Sequence, residues 1–343
     1  MLTIADARPL WEPEGPYLNT ATYGLPPRPA WDALQAALSD WHHGRVPFEP
    51  WCEPTERSRE LFGGLVGVPA ERVTTGASAS YLMSVVAASL PDGARVLVPE
   101  VDYSSVTWPL LVRGLCVRAV PLDRLADAVD ASVDVVAFSA VQSSDGAVAA
   151  LDDVVAAAQA HDVLTIVDAT HAVGWLPLDA SRFDAVVCAA YKWLLSPRGT
   201  AFMAVSERLL ERTRPTAPNW YAADDRFGRY YDPELHLADD ARRLDLSPAW
   251  FSWIGAEPAL RVLSDVGVEQ IHAHNVALAD RFCAGLGLPT GPSALVSTSV
   301  PGAEEKLARA GVRAATRAGS LRASFHLYNT EGDVDTALSA LLD

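Results

Sequence analysis

Cysteine is scarce in this sequence. Its 343 residues include only Cys52, Cys116, Cys188 and Cys283, and no two of them form a CxxC pair. Thiols scattered in this way are typical of reduced cysteines in a cytosolic protein. The sequence therefore predicts neither a disulfide framework nor a zinc site, and we expect no metal site.

Long hydrophobic runs are also lacking. No apolar stretch approaches the roughly 20 residues that a membrane-spanning helix needs. The first residues, MLTIADARPLWEPEG, contain acids and prolines instead of the basic and apolar regions of a signal peptide. We therefore expect a cytoplasmic protein that has no membrane partner.

Positive charge is scarce as well. The chain has 27 Lys and Arg against 43 Asp and Glu, which gives a formal net charge of −16. Nucleic acids and anionic membranes would repel such a surface, so neither is predicted as a partner. Hydrophobic residues, by contrast, make up 50% of the sequence. At this length they are enough for more than one core, and two domains are expected.

The most informative stretch spans residues 165–199. It holds, with the residue before it, two short apolar runs, LTIV before Asp168 and AVVC shortly before Lys192. Their length and β-branched content predict two buried parallel strands. A carboxylate and an amine then lie at the ends of neighbouring strands, where open α/β sheets bind their ligands.

Pyridoxal 5′-phosphate is a cofactor that uses such a pair. A lysine holds its aldehyde as a Schiff base, and an acid keeps its pyridine nitrogen protonated. Taken alone, Asp168 would fit a helix cap and Lys192 a solvated surface residue. Lys192, however, lies in the otherwise uncharged run AVVCAAYKWLL, where an unpaired ammonium is costly to bury. The combination predicts Asp168 as the nitrogen partner and Lys192 as the Schiff-base lysine.

The segments VDATHAVG and AAYKWLLSPRG resemble the class V aminotransferase family of fold-type I pyridoxal-phosphate enzymes. That family includes cysteine desulfurases, isopenicillin N epimerases, kynureninases and hercynylcysteine sulfoxide lyases. The likeness extends from YLNTATYGLPP near the start of the chain to LRASFHLYNTEGDVD near its end. It implies an α/β fold with a mostly parallel seven-stranded sheet in a large domain (residues 15–250). It also implies a small C-terminal α+β domain (residues 251–343 with 1–14) and a homodimer with a shared active site.

A phosphate site is predicted after the strand that begins at Val73. The strand breaks at Gly76, and small residues open an apolar helix whose free amides suit an anion. Alone this would be an ordinary N-cap, but the resemblance places Gly76, Ala77 and Ser78 at the cofactor phosphate. It places Tyr191 there too.

One position departs from the family pattern at this phosphate site. Ala189 stands where many relatives have a phosphate-binding serine. Tyr191 or a residue of a partner subunit would have to replace that hydrogen bond, and Trp250 and Ser252 are candidates for the cross-subunit contact.

Two further residues are predicted to contact the cofactor ring. Tyr103 falls where relatives carry an aromatic residue or histidine stacked on the pyridine ring, and His171 falls where they hydrogen-bond the phenolic oxygen. The alternatives are a tyrosine packed on its own loop and a structural histidine.

The substrate site is predicted from three segments. Arg322 is a lone charge within the strand LRAS, and a forked guanidinium suits the α-carboxylate of an amino acid. A surface strand with its arginine in water is the alternative, but the resemblance implies a substrate anchor. It also implies that Ser143, in AVQSSDG, contacts substrate, and that Asn19 and Thr20, in LNTATYGLPP, line the active site.

Three reactions remain open once the amine of Lys192 moves a proton at the substrate α-carbon. Loss of a β-sulfur group makes a carbon-sulfur lyase, return of the proton to the other face makes an epimerase, and protonation at the cofactor makes an aminotransferase. The segment GVRAATRAGSLRAS contains no cysteine, which disfavours a persulfide-carrying desulfurase.

The runs SAVQSSDG and KWLLSPRG are most similar to hercynylcysteine sulfoxide lyases, so we expect a carbon-sulfur lyase. An aminotransferase or epimerase is the alternative. A non-catalytic cofactor-binding sensor or scaffold is a third possibility from another class, but no basic helix-turn-helix segment accompanies it.

Overall fold

A computed structural model describes residues 2–228, 230–231, 233–317 and 319–343. Its α-helices are α1 (Ile4–Ala7), α2 (Arg28–His43), α3 (Glu53–Val66), α4 (Ala79–Ser89), α5 (Ser104–Val112), α6 (Leu151–Ala160), α7 (Glu207–Leu210), α8 (Trp250–Val266), α9 (Val268–Gly285), α10 (Ala303–Arg309) and α11 (Glu331–Leu342). Its strands are β1 (Val73–Gly76), β2 (Arg95–Pro99), β3 (Cys116–Val120), β4 (Val135–Ser139), β5 (Leu164–Asp168), β6 (Ala185–Ala189), β7 (Ala201–Val205), β8 (Leu295–Thr298), β9 (Ala315–Arg317) and β10 (Ser320–Ser324).

The larger sheet has seven strands in the order β1-β7-β6-β5-β4-β2-β3. All its pairings are parallel except those of β7, which runs antiparallel to both β1 and β6. Strands β5 and β6 are parallel neighbours, with Ile166 opposite Ala185. The predicted mostly parallel seven-stranded sheet is confirmed, and its two central strands bring Asp168 and Lys192 to the same edge.

Helices cover both faces of this sheet. Every residue of β4 to β7 is buried, which explains why these strands read as continuous apolar runs. On one face Phe138 shares a hydrophobic cluster with Phe62 of α3 and Trp253 of α8. On the other face Leu82 of α4 and Val106 of α5 belong to a second cluster.

A smaller antiparallel sheet with the order β8-β10-β9 lies near the end of the chain. Helices α9, α10 and α11 pack on it around Phe282, Leu307, Phe325 and Leu341. Helix α8 packs instead against α2 and α3, and Gly267 separates it from α9 with a φ of +92°. The division into two domains stays a prediction.

The irregular segment from residue 214 to 247 is tied down by a buried carboxylate. Asp245 accepts hydrogen bonds from Thr74 Oγ1 (3.0 Å) and Thr75 N (2.8 Å) of β1. Its other oxygen is 2.5 Å from Arg59 Nη2 of α3. Asp245 is 1% exposed and Arg59 2%. This anchor ties the described part of the segment, which has almost no regular secondary structure, to α3 and β1.

All four cysteines are free, and only Cys116 is exposed. Within the described part of the chain, no helix is long and apolar enough to cross a bilayer. Among the same residues, no cluster of three or more His, Cys, Asp or Glu side chains has the arrangement of a metal site.

Candidate active site

A cavity of about 480 Å³ opens at the carboxyl ends of the central strands. It brings together seven of the residues singled out in the sequence, which are Ala77, Ser78, Tyr103, Asp168, His171, Tyr191 and Lys192. The position agrees with the rule that open α/β sheets bind ligands beyond the carboxyl ends of their strands.

Lys192 is buried in this cavity, with 6% of its surface exposed. Its Nζ lies 2.6 Å from Nε2 of His171 and 5.6 Å from the ring centroid of Tyr103. Burial lowers the pKa of the ammonium to about 8, and the opposing charge of Asp168 limits that fall. A larger fraction of this amine is therefore neutral, and so nucleophilic, near neutral pH than for an exposed lysine.

The backbone around Lys192 is held by two distant parts of the chain. Gly24 donates its N–H to the carbonyl of Tyr191 (2.8 Å). A Cβ at Gly24 would lie 2.1 Å from the carbonyl oxygen of Lys192, so only glycine fits there. Beyond β10, His326 Nε2 lies 2.9 Å from the carbonyl oxygen of Trp193, whose indole N–H donates to the carbonyl of Phe325 (3.1 Å).

Asp168 ends β5 with both carboxylate oxygens engaged. Its Oδ1 accepts from the backbone N–H of Thr170 (2.9 Å) and its Oδ2 from Ser105 Oγ (3.1 Å). Thr170 in turn accepts from the backbone N–H of Ala189 at its hydroxyl (3.0 Å), which ties β5 to the end of β6. The carboxylate is thereby fixed at the floor of the cavity.

Sequence reasoning missed Ser105 and Thr170. Thr170 lies inside the VDATHAVG motif, between two residues that were identified, so its position was a usable signal. Ser105 comes from a different strand-helix connection and is brought to Asp168 only by the fold.

His171 is buried, and its Nδ1 has no hydrogen-bond partner within the described residues. Burial lowers the pKa of its imidazole well below the ordinary value, and the positive charges of Lys192 and Arg322 act in the same direction. A neutral ring with one unsatisfied nitrogen suits a hydrogen bond to a ligand oxygen.

The phosphate end of the cavity is formed by the start of α4. Ser78 is the N-cap, and its Oγ accepts from the backbone N–H of Tyr81 (3.2 Å). Residues 77–80 line the cavity, whereas Gly76 lies just behind it. A Cβ at Gly76 would approach Tyr81 and Leu82 to 3.0 Å, so a larger residue there would press on the helix start.

Arg198 also lines this end of the cavity, and sequence reasoning did not single it out. Its guanidinium carbon lies 5.0 Å from the ring centroid of Tyr191. Ser252 donates to the carbonyl of Arg198 within the same chain (2.9 Å). Ser252, a predicted cross-subunit phosphate contact, thus holds the backbone of Arg198 within its own chain. Trp250, the other candidate for that contact, stacks on Phe48 with ring centroids 5.5 Å apart.

Arg322 lies outside the cavity lining, with 3% of its surface exposed. It donates to the carbonyl of Ser143 (2.8 Å), to Ser143 Oγ (3.3 Å) and to Thr22 Oγ1 (3.3 Å). Its Nε has no partner, and no carboxylate of the described residues lies within 4.0 Å of it. Burial, helped by the charge of Arg317, lowers the pKa of this guanidinium to about 10.

Asn19 is another predicted site residue that lies outside the cavity lining. It lines a separate cavity of about 860 Å³, and its buried Oδ1 has no partner in the described structure. Its neighbour Thr20 is buried against the hydroxyl of Tyr328. The cavity therefore contains most of the residues predicted to hold the cofactor, whereas the residues predicted for the substrate, Arg322, Ser143 and Asn19, lie outside its lining.

These groups together fit a ligand with several functional groups. An amine and a carboxylate face one cavity, a helix start and a guanidinium form its anion-binding end, and the buried Arg322 has no carboxylate of the described residues within 4.0 Å. This donor set fits pyridoxal 5′-phosphate together with a carboxylate-bearing substrate.

Solved structures share this fold over almost the entire chain. A cystine C–S lyase in complex with cysteine persulfide aligns with a TM-score of 0.86 at 20% identity, over 96% of this chain and 98% of that chain. A cysteine desulfurase from Thermococcus onnurineus NA1 aligns with a TM-score of 0.85 at 18% identity, over 99% and 97%. The predicted fold class, that of the fold-type I enzymes, is confirmed.

The sequence matches the family model of Aminotransferase class-V over residues 53–299, and the chain belongs to this family. Isopenicillin N epimerase from Streptomyces clavuligerus is 28% identical, over 80% of this chain and 76% of the relative. Kynureninase from Deinococcus radiodurans is 27% identical, over 78% and 70%. The protein is a pyridoxal-phosphate-dependent class V enzyme that acts on amino-acid substrates, which confirms the predicted family and cofactor.

Proposed function

We propose that this enzyme is a carbon-sulfur lyase that removes a β-sulfur group from an amino acid. The observation that carries the amino-acid part of this proposal is Arg322, a buried guanidinium with no carboxylate of the described chain within 4.0 Å, whose charge acts on both Lys192 and His171. An amino acid bound there by its α-carboxylate places its α-carbon within reach of the Lys192 amine.

Residues at both ends of the first cavity would hold the cofactor. Asp168 would pair with the pyridine nitrogen, His171 would hydrogen-bond the phenolic oxygen, and Tyr103 would cover the ring. The start of α4 at Ala77 and Ser78 would bind the phosphate through backbone N–H groups. Tyr191 would add a hydroxyl, and Arg198 would supply the contact that a serine makes in relatives at the position of Ala189. Gly76 has no Cβ that would press on Tyr81 and Leu82, so the start of α4 can stay packed against the end of β1.

Pyridoxal 5′-phosphate, when bound, supplies an electron sink for the substrate α-carbon. Lys192 takes the α-proton onto Nζ, and its lowered pKa suits an amine that must accept and release a proton near neutral pH. The Cβ–S bond breaks with its electron pair leaving on sulfur, which is then protonated. Hydrolysis of the remaining three-carbon fragment yields pyruvate and ammonia. Ser143 keeps Arg322 oriented during these steps.

Elimination is favoured over desulfuration because residues 311–324 contain no cysteine that could accept a sulfur atom. Of the chain's four cysteines, Cys188 and Cys283 are buried, Cys52 is buried against α3, and Cys116 lies on β3. An aminotransferase or epimerase remains the alternative, since it would use the same lysine, acid and arginine.

Product analysis tests the proposal. The holoenzyme is incubated with S-substituted L-cysteines, and pyruvate and ammonia are measured without any added oxo acid. Their formation, and its loss in Lys192→Ala, supports the lyase. A strict need for an oxo acid identifies an aminotransferase, and deuterium uptake at Cα with inversion but no elimination identifies an epimerase. A protein that binds the cofactor but exchanges no α-proton with any amino acid is a sensor.

We further propose a cytoplasmic homodimer whose two active sites lie near the subunit interface. Free cysteines support the compartment. For the dimer, the support is a row of exposed apolar side chains beside the cavity: Val101 (66% exposed), Trp108 (67%), Leu111 (55%) and Val112 (91%). A second subunit that covered this row would bury it and close the mouth of the cavity.

A further inference from the structure

Two arginines share one face of the small sheet. In the antiparallel pairing of β9 and β10, Arg322 lies opposite Ala315 and Ser320 lies opposite Arg317. Since side chains alternate between the two faces of a strand, Arg317 and Arg322 lie on the same face as diagonal neighbours. That face is the one from which Arg322 reaches Ser143 and Thr22.

The charge of Arg317 acts on the active site. It lowers the pKa of Arg322 and also that of Lys192. Within the described residues, its side chain donates a hydrogen bond to the carbonyl of its own neighbour Thr316 (3.3 Å). The adjacent Thr316 hydroxyl donates to Glu304, and Thr316 lies on the opposite face of the strand.

No carboxylate of the described residues lies within 4.0 Å of either arginine. A solvated arginine is the simpler explanation for Arg317, because it is exposed and other exposed arginines also lack a partner. Arg317, however, stands beside a second, buried guanidinium, and the two charges repel each other. The α-carboxylate of a substrate would neutralise only one of them.

We propose that Arg317 binds a second anionic group, a carboxylate at the far end of the substrate side chain. This inference rests on the proposed function. It makes the substrate an S-linked cysteine derivative that carries an acid beyond the sulfur. Arg322, held by Ser143 and Thr22, binds the α-carboxylate of the substrate. The exposed Arg317 binds the carboxylate on the group that leaves with the sulfur.

The experiment compares two probes of similar shape and different charge, S-carboxymethyl-L-cysteine and S-carbamoylmethyl-L-cysteine. Dissociation constants come from the change in cofactor absorbance of the holoenzyme, and kcat/KM from pyruvate release. We expect the acid to be favoured by about tenfold or more, which corresponds to one charge-assisted hydrogen bond. In Arg317→Gln this preference disappears, because the constants for the acid worsen more than those for the neutral probe, and Arg317→Lys retains part of it.

Arg313→Gln is the matched control. Arg313 is also exposed and lacks a described carboxylate partner, but its backbone pairs with the N-terminal segment at Pro16 and Leu18 and its side chain lines the other cavity. This variant should keep the preference for the acid. A loss equal to that of Arg317→Gln would reduce the effect to general surface charge and overturn the inference.

The outcomes separate the two proposals. A wild-type enzyme that eliminates both probes equally well is a lyase without a second anion site, so the inference fails and the proposed function stands. A wild-type enzyme that binds neither probe, or binds them without releasing pyruvate, contradicts the proposed function itself. Equal weakening of both probes in Arg317→Gln assigns Arg317 a general structural role and also overturns the inference.

Discussion

Burial lowers the pKa of the Lys192 ammonium, whereas the neighbouring carboxylate of Asp168 raises it, and the effect of burial is larger. The folded pKa of about 8 lies below the 10.5 of an ordinary lysine, so the unfolded chain binds more protons between these values. The stability of the cofactor-free protein should therefore rise with pH across that window because of this residue.

Replacing Lys192 with methionine removes this contribution. We expect the cofactor-free Lys192→Met protein to be more stable than the cofactor-free wild type at pH 7 by up to about 3 kcal/mol, at roughly 1.4 kcal/mol per pKa unit. The gap should close as the pH approaches the pKa of an exposed lysine. Denaturant unfolding of both proteins at a series of pH values measures it, and a gap that does not change with pH contradicts the pKa assigned to Lys192.

Arg198 gives a second prediction at this scale. If it binds the cofactor phosphate, Arg198→Ala should weaken pyridoxal 5′-phosphate about 10- to 100-fold, the range for a lost charge-assisted contact. Binding of pyridoxal, which has no phosphate, should stay the same. Both affinities can be followed by absorbance when the aldehyde reacts with the apoprotein.

A second substitution serves as the control for Arg198. Ala189→Ser restores the hydroxyl that relatives carry, so it should recover part of the affinity for pyridoxal 5′-phosphate in the Arg198→Ala background. If Arg198→Ala weakened pyridoxal and its phosphate equally, the guanidinium would act on the structure of the site and not on the phosphate.

Site residues were predictable from the sequence where they lie close to one another along the chain. Asp168, His171 and Lys192 fall within 25 residues of one another, and their strands are recognisable from composition alone. Ser105 and Arg317 acquire their roles from a strand-helix connection and a strand pairing that local sequence does not encode. Arg198 lay inside a recognised motif, but nothing in the motif indicated that it lines the same cavity as the start of α4.

Among the elements, the segment from residue 214 to 247 depends on one buried ion pair. Asp245 is held by Arg59 and by two threonines of β1, so its loss leaves a buried guanidinium without its closest carboxylate. We expect Asp245→Ala to cost about 3–5 kcal/mol of unfolding free energy. The exposed Asp239→Ala, in the same segment, should change it by less than about 0.5 kcal/mol.

Equilibrium denaturation of the two variants measures this difference. Limited proteolysis adds an independent observation, since cleavage between residues 214 and 247 should increase in Asp245→Ala only. Equal stability of both variants would mean that the aromatic side chains, and not the ion pair, hold the segment.

Strand β9 shows what the sequence could not indicate about elements. The run GVRAAT predicts a strand over 311–316, but the strand begins only at Ala315. Arg313 instead pairs with the N-terminal segment, donating its backbone N–H to Pro16 (2.8 Å). By contrast the run EGDVDTALSALL predicts a helix, and α11 does span Glu331–Leu342, because its capping box and apolar spacing are both local.

For the whole molecule, the apolar row on α5 is the feature that monomeric proteins rarely expose. Leu111→Glu would place a charge in that row without entering the cavity lining. We expect it to convert the dimer to a monomer and to reduce turnover, because the mouth of the cavity would stay open to water.

Sedimentation and light scattering report the mass of each variant. Leu38→Glu is the control, since Leu38 is a similarly exposed leucine (40%) on α2. It should leave both mass and turnover unchanged. An active wild-type protein that sediments as a monomer contradicts the proposed assembly.

The distribution of thiols gives this protein a practical property. Cys116 is the one exposed cysteine, and it lies on β3, the outermost strand of the large sheet. A maleimide fluorophore added to the native wild type should therefore couple at a single position without any engineered cysteine. Energy transfer between donor- and acceptor-labelled samples would then report subunit exchange directly, while unfolding would expose the other three thiols and register as extra dye per chain.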